Sequence, residues 1–288
     1  MLGFAAYAIW GLLPAYVKLL DHVSVLELVA HRVVWALLLI LALAVGTRRW
    51  QRIVAIARQP RLLAMLGLST LFIAANWLAY VWGVMNNHVI ETSLGYYINP
   101  LVNVALAMLV LKERMRPLQG VAVALAACGV LALAIDGGAA PWLSLGLAFS
   151  FAFYGLIRKL LPVDAIEGLA IETALLAPFA LGWLVWLSVR EQASFGADTG
   201  TDLLLMLGGL ITAVPLLLFA AAAKKIRYTT LGLIQYVAPT LQFLQAVLVF
   251  GEPLRPIHYA TFGCIWLGLA IYATDSFRSS RLTPMVPE

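Results

Sequence analysis

Charge is what this sequence has least of. Only 11% of its 288 residues are Asp, Glu, Lys or Arg, against roughly a quarter in an ordinary soluble domain, and 63% are hydrophobic. That balance excludes a water-soluble globular chain. Cysteine is nearly absent: Cys128 and Cys264 both fall inside apolar blocks, where a thiol behaves as a small hydrophobe. Neither a disulfide nor a metal site is expected. The Walker loop, His-Glu-x-x-His, Gly-x-Ser-x-Gly and Cys-x-x-Cys are all missing, which removes the signatures of nucleotide-driven pumping and of soluble-style catalysis. No cofactor is implied. The short alternating segments of a membrane β-barrel are lacking as well.

What the chain has in abundance is apolar length. Runs bounded by charge, Gly or Pro give ten spans, at about 2–20, 25–45, 62–85, 90–111, 117–135, 141–161, 165–189, 203–223, 229–250 and 257–274. Each approaches the roughly 20 residues that a helix needs to cross a hydrocarbon core of about 30 Å. An all-α membrane protein of ten transmembrane helices is therefore expected. The first run is long enough to span and lacks a convincing small-x-small cleavage site before the next block, so it is read as an uncleaved first helix. The sixth and seventh runs nearly touch at Pro162, so "RKLLPVDAIEG" must be a tight turn.

Lys and Arg fix the orientation, because cytoplasmic connections are enriched in them. With the amino terminus inside, fifteen of the 19 basic residues fall in inside connections or the inside tail, and only Lys18, Arg190 and Arg255 fall outside. Both termini are expected in the cytoplasm. The basic stretch "TRRWQRIVAIARQPR" is read as a topology signal and not as a nucleic-acid or lipid site.

The stretch "INPLVNVALAMLVLKERMRP" has a counterpart in "VAPTLQFLQAVLVFGEPLRP". An offset of 139 residues carries Tyr97 onto Tyr236, Pro100 onto Pro239, Glu113 onto Glu252, Arg116 onto Arg255, Pro117 onto Pro256 and Gly129 onto Gly268 without a gap. The chain is an internal repeat of two five-helix units, 1–135 and 141–275, with 276–288 as a cytoplasmic tail. Five is odd, so the units should lie upside down relative to each other. The two Glu-x-x-Arg-Pro sequences read as short turns in which Pro starts the next helix. Pro100 and Pro239, inside spans, are expected to bend or break their helices, and such breaks in two inverted halves are the pattern found beside a transporter's substrate pathway.

Ionisable residues within spans are expensive in lipid and face inward or toward water. The second span offers Glu27, His31 and Arg32, and the seventh offers Glu167 and Glu172. An offset of 140 places Arg32 over Glu172. Their depths from opposite faces argue against a direct bridge, so Arg32 and His31 are assigned to the outer half of a central cavity and Glu172 to the inner half. Glu27, His31 and Glu172 are candidates for gating or proton coupling, although Glu27 also reads as an interfacial anchor. Trp10, Asn76, Trp77, Tyr80, Tyr97, Asn99, Tyr154, Gln235 and Tyr236 complete, with Arg32, a candidate pocket for a small, partly apolar ligand. Membrane aromatics also form interfacial belts, and either reading applies to each ring alone.

The stretches "WGLLPAYVKLL", "ELVAHRVVW", "ANWLAYVWGVMNNHVIETSLGYYINPLVNV", "KERMRPLQ", "FYGLIRK", "TAVPLLLFAAAAKKI" and "LGLIQYVAPTLQFLQAVLVFGEPL" together resemble the RarD branch of the EamA-type drug/metabolite transporter superfamily. The resemblance spans nearly the whole chain. It implies a ten-helix protein of the bacterial inner membrane with inverted five-helix repeats, exporting a small metabolite or drug. The expected partners are that small molecule and membrane lipid, with the protein a monomer or homodimer. A membrane-embedded enzyme and a non-transporting accessory subunit are the rival readings. An enzyme would need acids, His or metal ligands converging at one depth, and the scattered set here speaks against one.

Overall fold

The computed structural model describes residues 1–112, 116–136, 141–225 and 234–282, all helix or short connection with no strand among them. Glu113, Arg114, Arg227, the start of the ninth span and residues 283–288 lie outside the described residues. The helices are α1 (Leu2–Gly11), α2 (Leu13–Lys18), α3 (Val25–Gly46), α4 (Trp50–Ala57), α5 (Pro60–Met85) and α6 (Val89–Leu111), then α7 (Pro117–Asp136), α8 (Pro141–Leu160), α9 (Ala165–Val189), α10 (Thr199–Lys225), α11 (Val237–Leu244) and α12 (Pro256–Leu282). A π-helical turn, Gln245–Val249, continues α11.

Seven of these, α3, α5, α6, α8, α9, α10 and α12, are long and apolar enough to cross a membrane, while α7 and the α11 segment carry shorter apolar stretches. The first expected span departs most from its expectation, since it is divided between α1 and α2. Pro14 has no N–H and cannot continue the ladder. One bond further on, the Ala15 N–H donates 3.2 Å to Gln245 Oε1, and Gln245 Nε2 donates 2.6 Å to the Gly11 carbonyl. A side-chain amide from another helix thus stands in the i to i−4 bond between residues 15 and 11, a recognised cause of helix breaks. The basic connection after α3 is not a plain loop. Residues 50–57 form α4, whose apolar side buries Ile53 while Trp50 and Arg52 stay exposed.

Pro100 does not interrupt its helix: α6 continues through it from Val89 to Leu111. Proline removes one backbone bond, and tertiary packing on α8 and α11 holds the rest of the helix together. Pro239 stands in the first turn of α11, where an N–H has no intrahelical partner to lose. Among the described residues, the departures from regular α-helix lie instead between α1 and α2 and in the turn after α11.

The packing pairs follow the sequence offset. Helix α3 packs on α9, α6 on α11 and α7 on α12. Of the remaining large contacts, α6 with α8 answers to α1 with α11, α5 with α8 to α1 with α10, and α3 with α10 to α5 with α9. Exchanging the halves turns this set of contacts into itself. The α7–α12 seam shows how closely. A Cβ at Gly129 would lie 3.1 Å from the Thr261 carbonyl oxygen, and one at Gly268 would lie 2.7 Å from the Ala122 carbonyl oxygen; Ala122 and Thr261 are themselves 139 apart. Glycine is required where backbones approach this closely.

Two buried carboxylates tie matching corners. Glu27, in the first turn of α3, accepts bonds from the Ser194 N–H (2.7 Å), the Ser194 hydroxyl (3.0 Å) and the Phe195 N–H (3.3 Å), just beyond the end of α9. Glu167, in the first turn of α9, pairs at 3.0 Å with Arg49, just beyond the end of α3. Each helix therefore starts where the other ends, so α3 and α9 are antiparallel. At the Glu27 end, Glu252 accepts the N–H groups of Val89 (2.8 Å) and Ile90 (2.9 Å) at the start of α6. Burial pushes the Glu252 carboxyl above the usual carboxylate range, and those N–H bonds pull the other way.

Candidate functional site

The interior between α1, α3, α5, α10 and α11 is not filled. It holds a cleft of about 680 Å³, part of it open to the surroundings, to which Tyr96 of α6 and Phe151 of α8 also contribute. Its walls are mostly aromatic and aliphatic, with Arg32 as the one charged side chain among the described lining residues.

Arg32 reaches this position because α3 carries it about two helical turns past its start at Val25, facing α10. A Cβ at Gly208 would lie 2.9 Å from Arg32 Cγ, so the bare glycine backbone leaves room for the stem. The side chain is 3% exposed. Arg32 Nε donates 3.0 Å to Thr212 Oγ1, whose own hydroxyl donates to the Gly208 carbonyl. The guanidinium lies 5.5 Å from the centre of the Trp77 ring, within cation–π range. Its titratable neighbours are the hydroxyls of Tyr16, Tyr80 and Tyr96. No ion pair to Arg32 occurs among the described residues, and its Nη1 is buried without a partner.

Six of the residues singled out from the sequence as pocket candidates line the cleft: Trp10, Arg32, Asn76, Trp77, Tyr80 and Gln235. Asn76 is fixed by donating 3.0 Å to the Leu147 carbonyl and to Ser150 Oγ and by accepting 3.1 Å from Tyr96. Trp10 leans on Tyr7 and Phe219. Tyr80 Oη and Gln242 Oε1 are buried and unpartnered.

The other four lie elsewhere. Tyr97 and Tyr236 stack on each other with ring centres 6.2 Å apart, and Tyr97 shares a 2.6 Å bond with Thr240, so this pair seals α6 to α11. Asn99 donates 3.0 Å to the Ala148 carbonyl and accepts from Gln235 and Asn103, which places it one residue behind the cleft wall. Tyr154 belongs to a separate cluster around Glu172. There Ser69 donates 2.5 Å and Tyr154 3.4 Å to the carboxylate, and Arg158 Nε lies 3.8 Å away. Glu172 is thus paired within the protein, and its cation is Arg158, not Arg32. His31 accepts 3.3 Å from Trp35 and stacks on Phe195, beside the corner held by Glu27 and outside the cleft.

Sequence reasoning passed over Tyr96, Thr212 and Gln242. Tyr96 was hidden by its neighbour, since the repeat singles out Tyr97 and one residue turns a helix by about 100°. Gln242 did carry a signal, being 139 residues from Asn103.

Comparison with known proteins agrees with this architecture. The model of the EamA-like transporter family matches residues 1–135. A Pseudomonas aeruginosa protein named as an uncharacterized transporter is 48% identical over 99% of this chain and 96% of its own. Proteins named RarD from Streptomyces exfoliatus and Escherichia coli are 46% and 44% identical, over 97% and 98% of this chain and 89% and 96% of theirs. One crystal structure aligns with a TM-score of 0.61 at 19% identity, covering 96% of this chain and 97% of that one; at that identity the likeness speaks for the fold alone. A multi-pass helical membrane protein with a cleft between its helices, and with such relatives, is a membrane transporter. The chain belongs to the RarD branch of the EamA superfamily.

Proposed function

We propose that the chain is a secondary carrier of the bacterial inner membrane that exports a small, partly apolar molecule by alternating access. Its ten membrane segments form two inverted five-helix repeats, and both termini lie in the cytoplasm. The observation that carries this reading is the cleft itself: helices from both halves wall it, and the one charged residue among its described lining is Arg32. The exchange-symmetric contacts and the antiparallel α3–α9 pair support inverted repeats. Arg48, Arg49, Arg52 and Arg58 gather around α4, at the end of the bundle opposite Glu27, which supports a cytoplasmic position for that end. Rocking of the halves about the cleft would open it to each side in turn. The absence of carboxylate and histidine from the described lining residues favours a carrier over an embedded enzyme, whose chemistry needs such groups at the substrate.

Flux assays test the proposal. Proteoliposomes containing the protein, loaded with a panel of labelled metabolites, should release at least one faster than protein-free vesicles, and blocking the cleft with a bulky Thr212→Trp side chain should abolish that excess. Equal release with and without protein across the panel would reject the carrier reading for those compounds.

A further inference from the structure

We propose that the cleft takes a small organic monocarboxylate: an anionic head, a flat apolar body and one neutral N–H or O–H donor, without an ammonium group. The inference rests on the carrier reading and names the substrate class of the same site.

Arg32 is a buried cation that the protein leaves incomplete. Its partners are a hydroxyl and a ring face, its titratable neighbours are tyrosines, and Nη1 has no partner. Burying a charge without an opposite one is costly, and the cost is relieved when a counterion arrives with matching hydrogen bonds. Described acids on α3, α9 and α10 are committed elsewhere. Glu27 is taken by Ser194 and Phe195, Asp202 accepts from the Gly196 N–H, and Glu172 faces Arg158. The missing negative charge must come with the ligand.

Two further unsatisfied groups refine the class. The Tyr80 hydroxyl is a spare donor for a second carboxylate oxygen, and Gln242 Oε1 is a spare acceptor that calls for an N–H or O–H. A phosphate monoester, at about −1.5 to −2 charge near neutral pH, exceeds what one guanidinium balances. An ammonium would meet Arg32 with no carboxylate among the described lining residues to receive it. The aromatic walls, Trp10, Trp77 and Tyr96 among them, suit a flat apolar body.

The test uses para-hydroxyphenylpropanoate, its primary amide and tyramine, with the purified protein in neutral-headgroup nanodiscs. Binding is read by tryptophan fluorescence and by thermal shift. The acid is expected to raise the melting temperature and to bind at least about tenfold more tightly than the amide, a factor typical of one added charge-assisted contact; tyramine should not bind. Arg32→Gln should make acid and amide equal. Ligand-free Arg32→Met should melt at or above the wild-type temperature, because it removes an unpaired buried charge. The proposal is overturned if amide or tyramine binds as well as the acid, if none of the three binds, or if Arg32→Gln keeps the preference. A clear loss of stability in ligand-free Arg32→Met would overturn it too, since it would reveal an internal counterion. Flux of the same probes separates the two readings. Acid that binds but is not moved counts against the carrier alone, whereas amide and tyramine moved as fast as the acid count against the anion alone.

Discussion

Arg32 on α3 and Glu172 on α9 stand 140 residues apart, at the offset that lays one half of the sequence over the other, yet their surroundings treat them in opposite ways. Glu172 sits 2% exposed with its cation supplied by α8 and its oxygens bound by Ser69 and Tyr154. Arg32 sits equally deep, is held by one hydroxyl, and faces an open cleft. One member of the pair is an internal lock and the other is left available. A repeat can therefore keep a polar position while reversing both its charge and its availability. The asymmetry comes from the neighbours: Arg158 reaches Glu172 across Gly168, where a side chain would collide with the guanidinium.

The sharpest way to break this comparison is to remove the lock. Glu172→Leu leaves Arg158 without its carboxylate and should destabilise the protein by about 3 kcal/mol or more, the usual cost of halving a buried pair. Denaturant unfolding in detergent checks this, and a variant no less stable than Arg32→Met would erase the contrast. Next come the corner carboxylates. Glu27→Ala strands three donors and should cost about 2 kcal/mol, whereas Glu167→Gln weakens a pair with a partly exposed Arg49 and should cost under about 1 kcal/mol. Comparable losses in the two variants would show that the corners are not differentiated.

Smaller effects refine the comparison along the α7–α12 seam. Gly268→Ala should cost about 1–2 kcal/mol through overpacking against a backbone carbonyl, and Gly129→Ala less, following the 2.7 Å and 3.1 Å approaches. Melting temperatures in the reverse order would contradict the geometry. Smallest is Asp198→Asn, just before α10. Hydrogen bonds from the Thr201 side chain and N–H hold the Asp198 carboxyl below its usual range. A depressed carboxylate stabilises the fold above its unfolded pKa, near 3.9, and loses that contribution as the pH falls through its folded value. The substitution should therefore matter only above that window, and an equal difference from wild type at strongly acidic pH would refute the assignment.

Much of this was legible in the residues, for reasons that also mark the limits. Apolar length exposed the helices because lipid allows few alternatives, and the register of Tyr97 with Tyr236 and Gly129 with Gly268 exposed the pairing of halves. The same register misled at the site. Residues repeated in both halves tend to meet on the boundary they share, so Tyr97 and Tyr236 stack on each other, while the cleft is walled by Tyr96 and by Thr212. Arg158 escaped notice because its place near the end of α8 reads as a topology signal; only packing shows that it turns inward to Glu172. Proline likewise marked Pro100, whose helix stays intact, and gave no hint that a glutamine 231 residues after Pro14 would complete the break beside it.

That glutamine has a mechanical consequence. Because its amide bonds both Gly11 and Ala15, and Gln242 also donates to the Trp10 carbonyl, the divided first segment and α11 are stapled across the discontinuity, and in the proposed alternating-access cycle they would travel as one rigid arm. Spin labels on Ala8 and Leu248 should then keep a fixed separation with and without bound ligand, the bending of the proposed cycle falling on joints elsewhere in the bundle.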